Sequence, residues 1–346
     1  MKNFKFSKIK SPILIAEISA NHNGSLAHAK KLIKTAKLNK ADFVKLQTYE
    51  ARNMTIESNR NEFIIKKGLW KNYTLWDLYS KACTPLNWQK ELFSYSRKIG
   101  INCLSSPFDD ECVDLLEKIN CPIYKLASFE MTDIPLVKKI AQTKKPIIIS
   151  TGLSSIGEIE KTVNIARTNG AKEIALLYCV SSYPAKMSDF NLNNITILKN
   201  KFKNCTIGLS DHSLNDDVAK IAISLGAKII EKHIALDDQK KGLDIEFSIK
   251  GKEILLFKKM IENTYKTLGK NYFYRNKNEK KNIIYRRSIY SIKKITQNEI
   301  FTHDNIKRIR PYNGLSPEKY DFIIGKKAKN KILSGCPIKI SHIKNK

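Results

Sequence analysis

Eight short apolar runs, each ending in charged or polar residues, recur within the first 250 residues of this 346-residue chain. Apolar runs of this length are typical of buried strands, where an unpaired charge is energetically costly. Polar tips at the same end of successive strands therefore indicate that the strands point at one shared site. The runs are ILIAEIS, DFVKLQT, INCLSSPF, PIYKLAS, PIIISTG, IALLYC, CTIGLSDH and KIIEKHI.

Stretches of helical period separate these runs. The first, at 26–39, follows Asn23-Gly24-Ser25, a turn and N-cap signal. Eight strand–helix repeats predict an α/β fold, a closed (β/α)8 TIM barrel, rather than an open doubly wound sheet. The first strand lacks a following G-x-G-x-x-G, which argues against a dinucleotide-binding fold. The other predicted helices lie near 85–99, 110–119, 133–143, 156–169, 190–200, 215–225 and 251–268.

Two segments break the repeat. Residues 50–84 form a long aromatic-bearing insertion after the second strand, which we interpret as a lid or substrate wall. From about residue 285 the pattern changes to short β-like runs, RRSIYSI, DNIKRIR and IKISHI, with turns between them. We therefore predict a barrel domain at 1–270, a charged linker at 271–284 and a small second domain at 285–346.

Composition limits the function classes. The 62 basic against 33 acidic residues give a net charge of +29, which is compatible with nucleic-acid binding or with attraction of an anionic substrate. Because no nucleic-acid recognition motif accompanies the charge, a solvated lysine-rich surface is the favoured interpretation. Scattered cysteines without C-x-x-C spacing, and the lack of a long apolar run, predict a cytoplasmic protein with no membrane and no nucleic-acid partner.

Two histidines end neighbouring strands. His212 closes the seventh run and His233 the eighth, and adjacent strands lie about 4.8 Å apart. Two imidazoles at that spacing can hold one divalent metal, with water and substrate at the open positions. A hydrogen-bonded structural histidine is the alternative for either one alone, but the pair favours a metal site.

Two lysines also end strands, Lys45 on the second and Lys125 on the fourth. A Schiff-base lysine, a phosphate or carboxylate clamp, or a snorkelling lysine would each fit such a position. Hydroxyl side chains at the other tips favour an anion cradle, because phosphate oxygens need several donors. These are Ser105, Ser106, Ser128, Ser150, Thr151 and Ser210.

Three acidic residues are candidates for work on the substrate. Glu17 and Glu130 stand at strand ends and could transfer protons or orient a hydroxyl. Asp244 follows the eighth strand and could meet the substrate from that loop, or be an ordinary solvated loop acid.

The ordered motifs resemble the sialic acid synthase family over the whole chain. Members of this nonulosonic acid synthase family condense phosphoenolpyruvate with an amino sugar. The C-terminal stretches RRSIYSIKKI, NIKRIRPYNGLSP and IGKKAKNKI resemble the small antifreeze-like (SAF) domain that these enzymes carry after the barrel. The barrel motifs are AEISANHNGSLAHAKKLI, VKLQTY, SSPFD, YKLASFE, ISTGLSS, LLYCVSSYPA, GLSDHS and EKHIALD.

Within that family, the sequence is most similar to the branch that makes pseudaminic acid. The stretches that carry this similarity are Ser128-Phe129-Glu130, Ser181-Ser182-Tyr183-Pro184 and GLWKNYTLWDLY. Synthesis of N-acetylneuraminic or legionaminic acid is the alternative inside the family. A Schiff-base aldolase that uses Lys125 or Lys45 is the alternative from another class.

The resemblance also implies roles for individual residues. A divalent metal, Mn2+, Mg2+ or Co2+, would bind His212 and His233. Arg310 of the SAF domain would reach the active site of a second subunit, which implies a domain-swapped homodimer. Glu17, Gln47, Glu130 and Asp244 would address the sugar or the reacting centre. Phosphoenolpyruvate would be held by Lys45, Ser106, Lys125, Ser128, Ser150, Ser210 and Tyr183.

Overall fold

The computed structural model describes residues 4–344. They form two compact units with the division between Gly269 and Lys270. None of the helices described in either unit is long and apolar enough to cross a membrane.

The first unit is a closed barrel of eight parallel strands. Each strand pairs with the next along the chain, and β1 pairs with β8, which closes the sheet with Glu17 opposite His233. A two-residue strand, β9 (Ile249–Lys250), pairs with the end of β8. The barrel strands are β1 (Ile13–Glu17), β2 (Phe43–Thr48), β3 (Asn102–Pro107), β4 (Tyr124–Leu126), β5 (Ile147–Ser150), β6 (Ile174–Cys179), β7 (Thr206–Asp211) and β8 (Ile229–Ala235).

A helix follows each strand, so the TIM barrel expected from the sequence is confirmed. Ser25 caps α1 by accepting a hydrogen bond from the His28 amide, and Ser155 forms a capping box on α7. The helices of this unit are α1 (Leu26–Leu38), α2 (Ala51–Met54), α3 (Leu75–Ala82), α4 (Leu86–Ile99), α5 (Asp110–Lys118), α6 (Ile134–Gln142), α7 (Ile156–Thr168), α8 (Asn193–Lys201), α9 (Asp216–Leu225) and α10 (Glu253–Leu268). Of these, α2 and α3 lie inside the 50–84 insertion.

Side-chain alternation divides the barrel interior into two levels. Residues at the beginning of the strands form an apolar cluster that the N-terminal Phe6 joins. Two residues further along each strand, the side chain on the same face is polar in most strands: Ile15 is followed by Glu17, and Phe43 by Lys45. The intervening residues, such as Leu14 and Val44, belong to the larger core beneath the helices. The strands thus seal the floor of the barrel and present polar groups at its C-terminal end.

The second unit has a separate apolar core around Ile289, Phe301 and Ile306. Its elements are α11 (Lys277–Lys281), the antiparallel pair β10 (Ser288–Ser291) and β11 (Ile306–Ile309), and α12 (Tyr320–Ile323). The segment expected as a charged linker therefore contains a short helix.

One predicted strand of this unit is wrong. The run IKISHI contains a 3-10 turn, Ile340–His342, and its neighbourhood joins the unit through single bridges such as Tyr290 to Pro337. The Ile338 amide still donates a 2.8 Å hydrogen bond to the Ile289 carbonyl oxygen, but the chain enters the 3-10 turn two residues later, so the pairing does not extend into a strand. Ile338 and Ile343 nevertheless reach the core.

Candidate active site

A cavity of about 410 Å³ opens at the C-terminal ends of the barrel strands. Its inner wall carries the polar strand tips, and its outer wall comes largely from the 50–84 insertion. The convergence of the tips that the sequence predicts is therefore confirmed.

An ionic cluster occupies the floor of the cavity. Lys45 Nζ lies 2.6 Å from Glu17 Oε2 and 2.7 Å from Glu231 Oε1, and all three side chains are buried. Lys125 Nζ lies 3.7 Å from the same Glu231 oxygen, which also accepts a hydrogen bond of 3.2 Å from Ser210 Oγ. The register explains this arrangement, because β1 stands between β2 and β8 and brings Glu17 beside Lys45.

Burial and charge act in opposite directions inside this cluster. Burial lowers the pKa of Lys45 to about 8, even though Glu231 favours its charged form. Burial by itself would raise the pKa of Glu231, but the charges of Lys125 and Lys45 bring it down to about 2. Glu231 is thus an ionised carboxylate between two lysines at neutral pH.

Glu231 is a site residue whose role sequence analysis missed. It stands two positions before His233 on β8, so both side chains point into the barrel while Lys232 points outward. That i, i+2 spacing was the available signal.

The two histidines form the second part of the site. Their ring centroids lie 5.6 Å apart. His212 Nδ1 lies 3.1 Å from the carbonyl oxygen of Val180 and donates to it, which leaves Nε2 as the acceptor nitrogen. His233 Nδ1 is buried without a hydrogen-bond partner in the described chain, 3.7 Å from Asp244 Oδ2.

Both imidazoles are suited to a metal. Burial lowers the pKa of His212 to about 4, and burial together with the neighbouring His212 lowers the pKa of His233 well below its usual value. Both rings are therefore neutral at pH 7, the form that coordinates a cation. Within residues 4–344 no group of three or more His, Cys, Asp or Glu side chains is arranged around a common metal position. The donor set fits a two-imidazole site with several positions left for water or substrate.

Two further carboxyl groups border the cavity with raised pKa values. Burial raises the pKa of Glu130 to about 7, and its Oε2 is buried without a partner among the residues described. Burial also raises the pKa of Asp244, although its Oδ2 accepts a hydrogen bond of 3.3 Å from the Ala20 amide. Both can exist as neutral acids closer to physiological pH than exposed carboxyl groups.

The hydroxyl groups separate into two sets. Ser128, Ser150 and Ser210 line the cavity together with Gln47, and Ser128 Oγ lies 2.9 Å from Ser181 Oγ. Ser150 Oγ is buried and has no partner in the described residues, so it is a free donor.

Three other serines and threonines of the predicted cradle lie elsewhere. Ser105 faces outward and donates to the Leu46 carbonyl oxygen at 3.0 Å, because alternation on β3 places it on the helix side. Thr151 Oγ1 donates to the Leu177 carbonyl oxygen at 3.3 Å instead of lining the cavity. Ser106 is not among the lining residues, but it faces the barrel interior level with Gln47 in the strand register, and its buried Oγ lacks a partner within residues 4–344.

Aromatic rings enclose the histidine side of the cavity. The ring of Tyr183 lies 4.6 Å from that of His212, 5.3 Å from that of Phe247 and 5.6 Å from that of Trp70. Trp70 Nε1 also donates a 3.1 Å hydrogen bond to the carbonyl oxygen of Leu243. The insertion therefore forms a wall of the cavity, as its aromatic content predicts.

Arg310, the remaining predicted site residue, belongs to the second unit. It directly follows β11 and its side chain is exposed.

Comparison with known proteins gives full-length relatives. The chain is 39% identical to the pseudaminic acid synthase of Campylobacter jejuni subsp. jejuni serotype O:23/36 over 336 residues, covering 97% of this chain and 98% of the relative. It is 40% identical to the pseudaminic acid synthase of Helicobacter pylori over 339 residues, with 97% and 98% covered. The N,N'-diacetyllegionaminic acid synthase of Campylobacter jejuni is 38% identical over 321 residues, with 92% and 96% covered.

Solved structures agree with the fold. The N-acetylneuraminic acid synthetase of Leptospira borgpetersenii, in complex with citrate, superimposes with a TM-score of 0.71 at 31% identity, covering 80% of this chain and 92% of that one. A spore coat polysaccharide biosynthesis protein E from Chromobacterium violaceum, at 24% identity, shares the fold with a TM-score of 0.76.

Family models match both units. The NeuB family model matches residues 32–272, and the SAF domain model matches residues 286–344. The resemblance to sialic acid synthases is thereby confirmed, and the chain belongs to the NeuB family and carries a C-terminal SAF domain.

Proposed function

We propose that this chain is a pseudaminic acid synthase. It condenses phosphoenolpyruvate with 2,4-diacetamido-2,4,6-trideoxy-β-L-altropyranose and water, giving pseudaminic acid and phosphate. The observation that carries this proposal is the identity of 39% and 40% to pseudaminic acid synthases of two genera, extending over 97% of the chain. The cavity agrees with it, because cationic and hydroxyl donors suited to phosphate lie beside a pair of neutral imidazoles.

The lysines and serines would bind phosphoenolpyruvate. Lys45 and Lys125 supply positive charge, and Ser128, Ser150 and Ser210 supply hydroxyl donors at the same end of the barrel. Before the substrate enters, Glu231 balances the two lysines and holds them in place. Such a cradle stabilises charge as it moves from the enol to the phosphate, without reorganising during the reaction.

His212 and His233 would hold a divalent metal, Mn2+, Mg2+ or Co2+. When bound, it would act as a Lewis acid toward the carbonyl oxygen of the acceptor sugar. The hydrogen bond from His212 Nδ1 to the Val180 carbonyl oxygen fixes the ring and leaves its Nε2 free to bind such a metal.

The bond changes follow from this placement. The acceptor opens to its aldehyde, and C3 of phosphoenolpyruvate attacks the aldehyde carbon to form the new C–C bond. Water adds to the cationic C2, and the tetrahedral carbon then loses phosphate by cleavage of its C–O bond. Of the two protons of the attacking water, one passes to the former aldehyde oxygen and the other leaves with the phosphate as the C2 carbonyl forms. Glu130, whose pKa is about 7, is suited to transfer the first of these protons, and the carboxylate of Glu17 is suited to stabilise the cationic C2.

A phosphate-release assay tests the proposal. The enzyme is offered N-acetylmannosamine and the two diacetamido-trideoxyhexose precursors of legionaminic and pseudaminic acid. We expect the highest kcat/KM with the pseudaminic acid precursor. A preference for the legionaminic acid precursor would contradict the proposal in favour of the second activity found among the relatives.

Three further measurements test the mechanism. Chelation should abolish phosphate release and added Mn2+ or Mg2+ should restore it, whereas full activity after exhaustive chelation would refute the metal assignment. Phosphate formed from substrate with a labelled bridging oxygen should retain the label if the C–O bond breaks. Borohydride with pyruvate should leave Lys45 and Lys125 unmodified, since covalent trapping would indicate a Schiff-base aldolase.

We also propose a cytoplasmic, domain-swapped homodimer in which Arg310 completes the partner's site. The SAF domain match and the exposed position of this arginine support the idea. Mixing two inactive variants, His212→Ala and Arg310→Ala, tests it. Hybrid dimers should regain activity, because one of their two sites would combine an intact histidine pair with an intact arginine. Activity of Arg310→Ala alone at the wild-type level would overturn this role.

A further inference from the structure

The polarity of the cavity changes abruptly between its two walls. All charged residues of the cavity belong to the barrel strands and their loops, as Lys45, Lys125 and Glu231 do. The insertion contributes only apolar or aromatic residues, among them Met54, Ile65 and Trp70. A ligand that fills the cavity must therefore be charged at one end and apolar at the other.

Helix α3 supplies much of this apolar wall. Leu75, Leu78, Tyr79 and Ala82 all line the cavity, and their spacing of three, four and seven residues places them on one face of the helix. Ser80, on the same helix, is exposed to solvent. Thr74 fixes the start of α3 by accepting a hydrogen bond of 3.0 Å from the Asp77 amide. The stripe is thus a regular, anchored surface that faces the cavity.

The direction of the acceptor sugar follows from the proposed function, on which this inference rests. Its C1 must face the lysines and the imidazoles, where the new C–C bond forms. C6 is the carbon farthest along the chain from C1, so it extends away from the strand tips toward the insertion. In the proposed acceptor C6 is a methyl group, which suits an apolar surface.

We infer that the α3 stripe of Leu75, Leu78, Tyr79 and Ala82 is a subsite for the 6-deoxy end of the acceptor and selects a methyl over a hydroxymethyl group. A hydroxyl group pressed against Leu75, Leu78 and Ala82 would lose its hydrogen bonds to water, since these side chains offer it only aliphatic carbon atoms. The Tyr79 hydroxyl is the one polar group of the stripe. Phe129 also lines the cavity but is 59% exposed, which makes it a rim residue.

The test compares two acceptors that differ only at C6: the proposed acceptor and its counterpart that keeps the 6-hydroxyl. For the wild-type enzyme, kcat/KM should favour the 6-deoxy sugar by about 10- to 100-fold, the usual range for one small group in an apolar pocket. Leu75→Gln places an amide in the stripe and should lower this preference about fivefold or more. The matched control Ser80→Gln, on the exposed face of the same helix, should keep the wild-type preference.

Ala82→Ser provides a second, smaller change if Leu75→Gln does not fold. It adds one hydroxyl group to the stripe and should also lower the preference for the 6-deoxy sugar. The inference is overturned if wild-type enzyme uses both acceptors equally, or if folded variants retain the wild-type ratio. Lack of phosphate release by wild-type enzyme with the 6-deoxy acceptor would instead overturn the proposed function itself, and the subsite with it.

Discussion

Strands β7 and β8 contribute side chains to two buried ionic clusters. Glu231 and Lys232 are consecutive residues of β8, so they belong to clusters on opposite faces of the strand. On the outer face, Lys232 Nζ lies 2.9 Å from Asp211 Oδ2 and also donates to the Ser213 carbonyl oxygen, while Asp211 Oδ1 accepts 2.8 Å from the Ser213 amide. On the inner face, Glu231 meets Lys45 and Lys125.

The two clusters differ in how fully their polar atoms are satisfied. Each charged group of the outer pair has both its ionic partner and a backbone partner. In the inner cluster, Glu231 Oε2 and the neighbouring His233 Nδ1 and Ser150 Oγ lack partners among residues 4–344. Buried polar groups normally have hydrogen-bond partners. We therefore interpret the outer cluster as a structural link and the inner cluster as a surface that is open to a ligand.

Breaking the outer pair should give the largest change in stability. Asp211→Asn preserves the shape but leaves Lys232 as a buried charge without an anionic partner. We expect the free energy of unfolding to fall by about 3–5 kcal/mol. Urea denaturation measures this loss.

The activity of Asp211→Asn supplies the contrast. The folded fraction should release phosphate at close to the wild-type rate, because the pair faces the helices. The double variant Asp211→Asn/Lys232→Met should be more stable than the single variant, since it removes the stranded charge. Unchanged stability with lost activity would show that the outer pair acts in the reaction.

Changing the inner cluster should act mainly on the reaction. Glu231→Gln keeps the size of the side chain but no longer balances Lys45 and Lys125. We expect kcat/KM for phosphate release to fall about 10²- to 10³-fold, the scale of losing one preorganised electrostatic group. Circular dichroism and thermal melting establish the folded fraction, and near-normal turnover in it would remove Glu231 from the site.

Glu130, whose buried Oε2 has no hydrogen-bond partner among residues 4–344, should lower the free energy of unfolding as pH rises. Burial raises its folded-state pKa from 4.5 to about 7, so the folded protein binds this proton more tightly than the unfolded chain. The contribution of this group to the free energy of unfolding is therefore fully present below about pH 4.5, and it is lost as pH rises through 7. Glu130→Gln should accordingly gain at most about 3 kcal/mol over wild type between pH 4 and pH 8.

A matched control isolates this effect. Glu57 lies in the insertion with an exposed side chain. Glu57→Gln should show the same pH dependence of unfolding as wild type. If Glu130→Gln also showed the wild-type pH dependence of unfolding, the surroundings of Glu130 would not raise its pKa toward neutrality.

The sequence predicts the barrel well because its signals are local. Apolar runs, helical periods and polar tips are read from neighbouring residues, and all eight strands and the helices between them lie where these patterns place them. The proximity of His212 and His233 was predictable in the same way, since both lie near the C-terminal ends of consecutive strands.

What the sequence does not show depends on distant partners and on direction. The central position of Glu231 requires Lys45, 186 residues away, to meet it. Likewise, whether Ser105 or Ser106 points inward depends on a register that one residue reverses. The apolar stripe of α3 also becomes a cavity wall only when the insertion folds over the strand ends. Local patterns therefore located the site, whereas the contacts within it required the three-dimensional structure.

Two adjacent residues of β3, Ser105 and Ser106, also face opposite sides of the barrel wall. Ser105 Oγ is hydrogen-bonded to the Leu46 carbonyl oxygen and Thr48 Oγ1, whereas Ser106 Oγ has no partner within the described range. Ser105→Ala should therefore cost about 1 kcal/mol of unfolding free energy and leave kcat/KM unchanged. Ser106→Ala should leave stability within about 0.5 kcal/mol but lower kcat/KM about tenfold, the scale of one hydrogen bond to a charged group. Each variant is the control for the other. An activity loss in Ser105→Ala together with normal activity in Ser106→Ala would mean that facing inward without a partner does not identify the residues that hold phosphoenolpyruvate.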